Sequence, residues 1–240
     1  MNIYLTDGTM IGFYTAVFDA WKTDGKITSD GNIQLGIGDT LINVLADEEK
    51  FIRVRRRIDQ TDRYAAGDVD LALRSNLTER EQAAFDYIRL LIEYGRPIRK
   101  MLAERPVMKL NDLIYKVLHE LDKQRGFIRF KETAEGILYA PYSPDNDITD
   151  LLAKHFKARL GALRFVIHDL GRAKAAVSNG QNWIMVNAER AEISLSESEA
   201  GFEKLWKEYY RNVNISERKN EKLMRASMPV RYWKFLPEKN

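Results

Sequence analysis

Residues 126–156 read GFIRFKETAEGILYAPYSPDNDITDLLAKHF, and here the apolar spacing shifts from a helical rhythm to alternation. From 127 to 132, Ile128 and Phe130 fall on one side and Arg129 and Lys131 on the other, which predicts a strand. Residues 133–136 form a turn, and 137–140 return as the second strand of a hairpin. Pro141 and Pro144 then interrupt the sheet. Beyond them Asp147 can cap a helix with Ile148, Leu151, Leu152 and Phe156 on its apolar face.

Downstream, three more strands are expected at 165–168, 173–177 and 183–186, separated by turns at Leu170-Gly171 and Ser178-Asn179-Gly180. A long helix follows over 199–213. The order ββαβββα predicts a mainly antiparallel sheet. Phe202, Trp206, Tyr209 and Val213 lie along one stripe of the last helix and are expected to face a core.

Upstream, residues 2–6 read as a strand ended by Asp7-Gly8. Thr9 is a good N-cap for a helix carrying Met10, Phe13, Tyr14, Val17, Phe18 and Trp21 at i, i+3, i+4, i+7, i+8 and i+11. Six large side chains on one face favour a core helix over a ligand-binding aromatic box. Residues 25–38 read as a loop with at most a brief strand near IQLGI, and Gly36-Ile37-Gly38 lacks the third glycine of a dinucleotide loop. From 40 to 124 the pattern is helical throughout. Phe51, Val54 and Ile58 share a face, with Arg53, Arg55, Arg56, Arg57 and Arg63 around it. Thr78 and Glu81 suggest a capping box for a helix over 78–94, ended by Gly95-Arg96-Pro97, and a further helix is expected over 110–121. The fold class is therefore α+β: a strand-helix and helical region over 1–125 and an α+β domain over 126–240, or one continuous domain. The first strand is expected to join the later sheet.

The chain has no cysteine and a formal net charge of +3. That excludes disulfides, thiolate-bound clusters and a cysteine nucleophile, and it permits an anionic partner. No apolar run reaches the ~18 residues of a membrane span, and the start MNIYLTDG is unlike a signal peptide, so a cytoplasmic protein without membrane contact is expected.

The sequence holds no Gly-x-Ser-x-Gly, Walker loop or HExxH motif. His168 and Asp169, at the end of an apolar strand, are the candidate catalytic pair, with Glu132 assisting. Adjacent strand residues point to opposite faces, so the pair makes a poor metal site, and neither metal nor cofactor is expected. His155 rides on the apolar face of its helix, one turn from Arg159; a hydrogen-bonded core histidine and a phosphate contact are both open readings. Candidate nucleic-acid contacts are Arg129 and Lys131 on one strand face, Arg172 in a turn, and Arg218, Lys222 and Arg225 at i, i+4 and i+7. Asn214 and Glu217 would cap the helix carrying those last three. Arg231, Trp233 and Lys234 are expected to follow in extended chain, with Trp233 or Tyr232 stacking on a base. Phosphate binding over 202–237 is suggested by seven aromatic and nine basic residues against four acidic ones.

Four separated blocks, DGTMIGFYTAVFDAW, RFKETAEGILYAPYSPDNDITDLLAKHF, FVIHDLGRA and ERKNEKLMRASMPVRYWKF, resemble a bacterial family assigned to DNA repair or DNA metabolism, in the same order. Its C-terminal half is a domain of unknown function. Matching positions include Asp7, Gly12, Arg129, Glu132, His155, His168, Asp169, Arg172, Arg231 and Trp233. The resemblance implies a role in DNA repair beside a radical-SAM protein, with a uracil-DNA glycosylase-like protein as a further candidate partner. Lacking cysteine, this chain would leave iron–sulfur chemistry to the radical-SAM partner. Three roles follow as expectations: a DNA-binding accessory factor, an enzyme on damaged nucleic acid with His168 as base or metal ligand, or a protein–protein interaction module.

Overall fold

The computed structural model describes residues 1–189, 192–213, 215 and 220–240. They fall into two compact units, Met1–Leu118 and His119–Asn240.

The first unit opens with β1 (Asn2–Leu5) and α1 (Met10–Ala20). Thr9 caps α1 as expected, its hydroxyl accepting from Gly12 N at 2.9 Å. β2 (Lys26–Thr28) and β3 (Thr40–Asn43) flank β1, both parallel to it. Three expectations are corrected here. β1 belongs to its own three-stranded sheet and not to the later one. The brief strand of the 25–38 stretch lies at Lys26–Thr28, ahead of IQLGI, and residues 40–43 are strand where helix was expected. The reason is pairing: Leu41 and Ile42 sit beside Ile3 and Tyr4, a neighbour that local periodicity cannot reveal.

α2 (Glu48–Thr61), α3 (Ala65–Ala72) and α4 (Arg80–Tyr94) complete the helical part, and α5 (Arg105–Phe127) begins in this unit and ends in the other. Phe13, Tyr14, Val17, Ile58, Phe85, Ile88 and Leu91 form the core. The Thr78–Glu81 capping box does not form. Glu81 is instead buried and accepts from the Ser29 hydroxyl at 2.6 Å and Arg80 Nε at 2.8 Å, tying α4 to the turn after β2. Gly95 ends α4 in the left-handed conformation (φ 60°).

In the second unit, β4 (Lys131–Glu132), β5 (Leu138–Tyr142), α6 (Thr149–Leu160), β6 (Phe165–Asp169), β7 (Lys174–Ser178), β8 (Trp183–Asn187) and α7 (Glu199–Val213) realise the expected ββαβββα order. The sheet runs β4-β5-β6-β7-β8 and is antiparallel except for β5–β6, which α6 connects in parallel. The first strand is shorter than expected: α5 runs on to Phe127, and residues 128–130 join neither the helix nor the strand. Pro141 stays inside β5: β4 pairs only with Leu138 and Tyr139, so no ladder donor is demanded of the proline on that side. Asp147 does not cap α6. Ile148 occupies that position without a side-chain bond, while Asp147 pairs with Lys174.

α8 (Glu221–Ser227) is capped by Asn220, whose Oδ1 accepts from Leu223 N at 2.9 Å. The expected cap by Asn214 and Glu217 lies outside the described residues, as does Arg218. Residues 230–235 form a 3-10 turn where extended chain was expected. Its anchor is Tyr232, buried against the equally buried Glu120 of α5. The Glu120 carboxylate accepts from the Tyr232 hydroxyl, from Asp145 N at 2.8 Å, and from Asn146 N and Nδ2 at 2.7 and 2.6 Å. Among the described residues no helix is long and apolar enough to cross a membrane.

Candidate functional site

β6 carries the two residues singled out for catalysis, on opposite faces. His168 is 1% exposed. Its Nε2 lies 2.8 Å from the Ala188 carbonyl and its Nδ1 2.8 Å from the Tyr139 hydroxyl. A carbonyl can only accept, so Nε2 carries the proton and Nδ1 accepts from Tyr139. Burial pushes the Tyr139 hydroxyl above its ordinary pKa, which keeps it a donor. Both ring nitrogens are thereby occupied in pinning β5 and the end of β8 to β6.

Asp169, also buried, accepts from Gly171 N at 3.0 Å and Arg172 N at 3.2 Å and pairs with the Arg172 guanidinium at 3.1 Å. Arg172 in turn donates to the Pro144 and Asp145 carbonyls. The pair thus builds the β6–β7 turn and fastens the 144–145 loop to it. Glu132 stands opposite Leu138, which pairs with Phe165. That places it two strands across and three residues along from His168, about 14 Å at ordinary sheet spacings. The three catalytic candidates do not converge. His155 is half-buried on α6 with its ring edge-on to Phe156, and burial, with Arg125 and Arg159, lowers its pKa. Among the described residues, no three His, Asp or Glu side chains come together as a metal site.

The predicted phosphate contacts divide into two sets. In the first, the charge is already used. Arg129 is not on a strand: it donates to Glu238 at 2.7 Å and to the Gly126 carbonyl at 2.7 Å. Burial raises the Glu238 carboxyl, but hydrogen bonds from Arg129, its own backbone and the Trp206 indole outweigh that and hold it below its usual range. Lys131 pairs with Glu203 at 3.2 Å, Arg172 with Asp169, and Arg231 with Asp145. Tyr232 is buried and cannot stack on a base. Trp233 donates to the Met228 carbonyl and has Lys239 5.3 Å from its ring centroid. The second set, Arg159, Lys222, Arg225 and Lys234, is exposed, and none of it meets a carboxylate among the described residues.

The largest departure from the sequence reading is α7, which buries nothing. Phe202 (60% exposed), Leu205 (63%), Trp206 (38%), Tyr209 (57%) and Val213 (52%) leave its apolar stripe open. Trp206 and Tyr209 lie with ring centroids 5.7 Å apart and planes tilted by 35°. Arg129 sits 5.2 Å over the Trp206 ring, and Lys131 holds the helix through Glu203, whose carboxyl is kept low first by its hydrogen bond from Lys207 and also by that from Lys131. Between this helix and the β4–β5 edge runs a groove of about 810 Å³, with Phe130, Leu138 and Leu163 on the sheet side and Phe202, Leu205 and Trp206 on the helix side. Arg129, Lys131 and Arg164 line it as well. The arrangement offers flat aromatic faces beside Arg164, which is exposed and meets no carboxylate among the described residues, and so suits unpaired bases or apolar side chains.

Sequence reasoning missed this face because a stripe that packs and one that stays open share one periodicity. The available signal was composition: Trp and Tyr interleaved with Lys204, Lys207 and Arg211. Comparison with curated proteins and with solved structures finds no match. Residues 78–238 match the family model described as a domain of unknown function (DUF4130), covering α4, α5 and nearly all of the second unit. By that match over most of its length, the chain belongs to the DUF4130 family.

Proposed function

We propose that this chain is a cytoplasmic accessory factor in DNA repair or DNA metabolism, holding single-stranded nucleic acid on the open face of α7 and working beside a radical-SAM partner. The observation that carries the binding role is the Trp206–Tyr209 pair, exposed and 5.7 Å apart, in a helix also bearing exposed Lys204 and Arg211. Base stacking on such rings contributes roughly 1–3 kcal/mol per base, and backbone attraction falls as salt rises. The repair role and the radical-SAM partner rest on the four sequence blocks that resemble that family. An enzyme working through His168 has less support, since its proton and its lone pair are both engaged in the sheet.

The test is fluorescence anisotropy with labelled single-stranded oligonucleotides over a salt series. Binding should weaken as salt rises, and Trp206→Ala/Tyr209→Ala should weaken it by about tenfold or more. No affinity, or affinity indifferent to salt and to these substitutions, sinks the reading.

A second reading, a protein-interaction module, is favoured by Leu205 and Val213, which extend the stripe with aliphatic surface that bases do not need. Co-purification with a radical-SAM protein, abolished by Leu205→Ser/Val213→Ser while oligonucleotide binding persists, would select it.

A further inference from the structure

A second concave site lies in the first unit, among α1, α2 and α4, with a volume of about 640 Å³. Partly exposed Phe18, Trp21, Val54 and Ile92 line it, over a fully buried layer of Val17, Ile58 and Ile88. None of these presents a hydrogen-bonding group except the Trp21 indole, so whatever enters deeply must be apolar.

The rim is different in kind. Lys22, Arg53 and Arg57 border the opening, against Asp19 alone, and Asp19 already accepts from Lys50 at 2.6 Å. All three cations are exposed and meet no carboxylate among the described residues. Arg53 and Arg57 stand one helical turn apart, a like-charge spacing that disfavours the helix unless an anion lies between them. Arg53 also lies 5.0 Å from the Phe18 ring centroid, which steadies its guanidinium at the mouth. The volume falls within the range of small-molecule sites, roughly 300–1,000 Å³.

We infer that the first unit binds a small amphiphilic anion, an apolar chain ending in a phosphate or carboxylate, with its body against Phe18, Trp21, Val54 and Ile92 and its head between Arg53 and Arg57. Both head groups suit a pair of guanidinium forks. The site is independent of the α7 face.

Isothermal titration of the full chain with octyl phosphate, octanoate, octanol and inorganic phosphate tests it. Octyl phosphate, octanoate or both should saturate one site, about tenfold or more tighter than octanol or phosphate, and the stronger of the two identifies the head group. Arg53→Gln/Arg57→Gln should weaken the anion by about tenfold or more while leaving octanol and the circular dichroism spectrum unchanged. Trp206→Ala should leave all four titrations as they were. The inference is overturned if neither anion saturates, if octanol binds as tightly, if the arginine variant binds like wild type, or if Trp206→Ala removes the binding.

Discussion

Replacing Glu120 by alanine tests whether the buried carboxylate fixes the C-terminal segment. The side chain accepts four hydrogen bonds, from Asp145 N, Asn146 N, Asn146 Nδ2 and the Tyr232 hydroxyl. Asp145 is half-buried, so its N–H can turn to water; Asn146 and Tyr232 are buried, and the Tyr232 hydroxyl loses the carboxylate it donates to. A stranded buried donor costs about 1–3 kcal/mol, and removing a buried, incompletely neutralised carboxylate returns part of that. The net expectation is a loss of roughly 3–5 kcal/mol, a large share of the stability of a domain this size. Tyr232→Phe removes one charge-assisted bond and should cost about 1.5–3 kcal/mol. Glu120→Gln, which keeps an acceptor oxygen, should fall between wild type and alanine. Urea unfolding followed by tryptophan fluorescence reads this, because Trp183, Trp206 and Trp233 of the four tryptophans lie in the second unit. A Glu120→Ala midpoint indistinguishable from wild type would refute the assignment of Glu120 as the anchor.

Four further variants have expected outcomes. Gly180→Ala should destabilise by roughly 3 kcal/mol or more in thermal unfolding, since φ is +89° and the new Cβ would stand 2.2 Å from the Ala162 carbonyl oxygen; Gly67→Ala, at an exposed position of α3 with open space around it, should instead stabilise by about 0.5–1 kcal/mol. Burial, with Asp68 and Asp62, pushes the Tyr87 hydroxyl from 10.0 up to about 12. Because the folded state holds this proton more tightly, its stabilisation is complete below pH 10 and lost as pH rises through 12; Tyr87→Phe should flatten that alkaline limb in pH-dependent urea midpoints and, by removing a buried hydroxyl that has no hydrogen-bond partner among the described residues, leave neutral stability equal or slightly higher. His168→Ala should lower the melting temperature by freeing Tyr139 and the 188 carbonyl, while leaving oligonucleotide affinity at a temperature where the variant is folded unchanged; loss of turnover on a lesion-bearing substrate without loss of stability would restore His168 as a catalytic residue.

Elements whose signal is local were legible from the residues: the Thr9 cap, the Gly95 stop, the ββαβββα order and the α7 boundaries all follow from neighbours within one or two turns of chain. Partnership was not. Strand β3 exists because Leu41 and Ile42 find β1, the 3-10 turn at 230–235 because Tyr232 finds Glu120, and the Glu81 carboxylate closes no capping box because Ser29 and Arg80 claim it. The same holds for the candidate sites. His168 looked presentable at a strand end until Tyr139 and Ala188 closed on both its nitrogens, and Arg129 and Lys131 looked free until Glu238 and Glu203 met them. Sequence by itself determined which faces are apolar and where charge accumulates. Only the tertiary structure decided which of those faces are covered, because burial and ion pairing join residues up to about a hundred positions apart, as Arg129 and Glu238 are. That decision left α7 open and moved the candidate site to it.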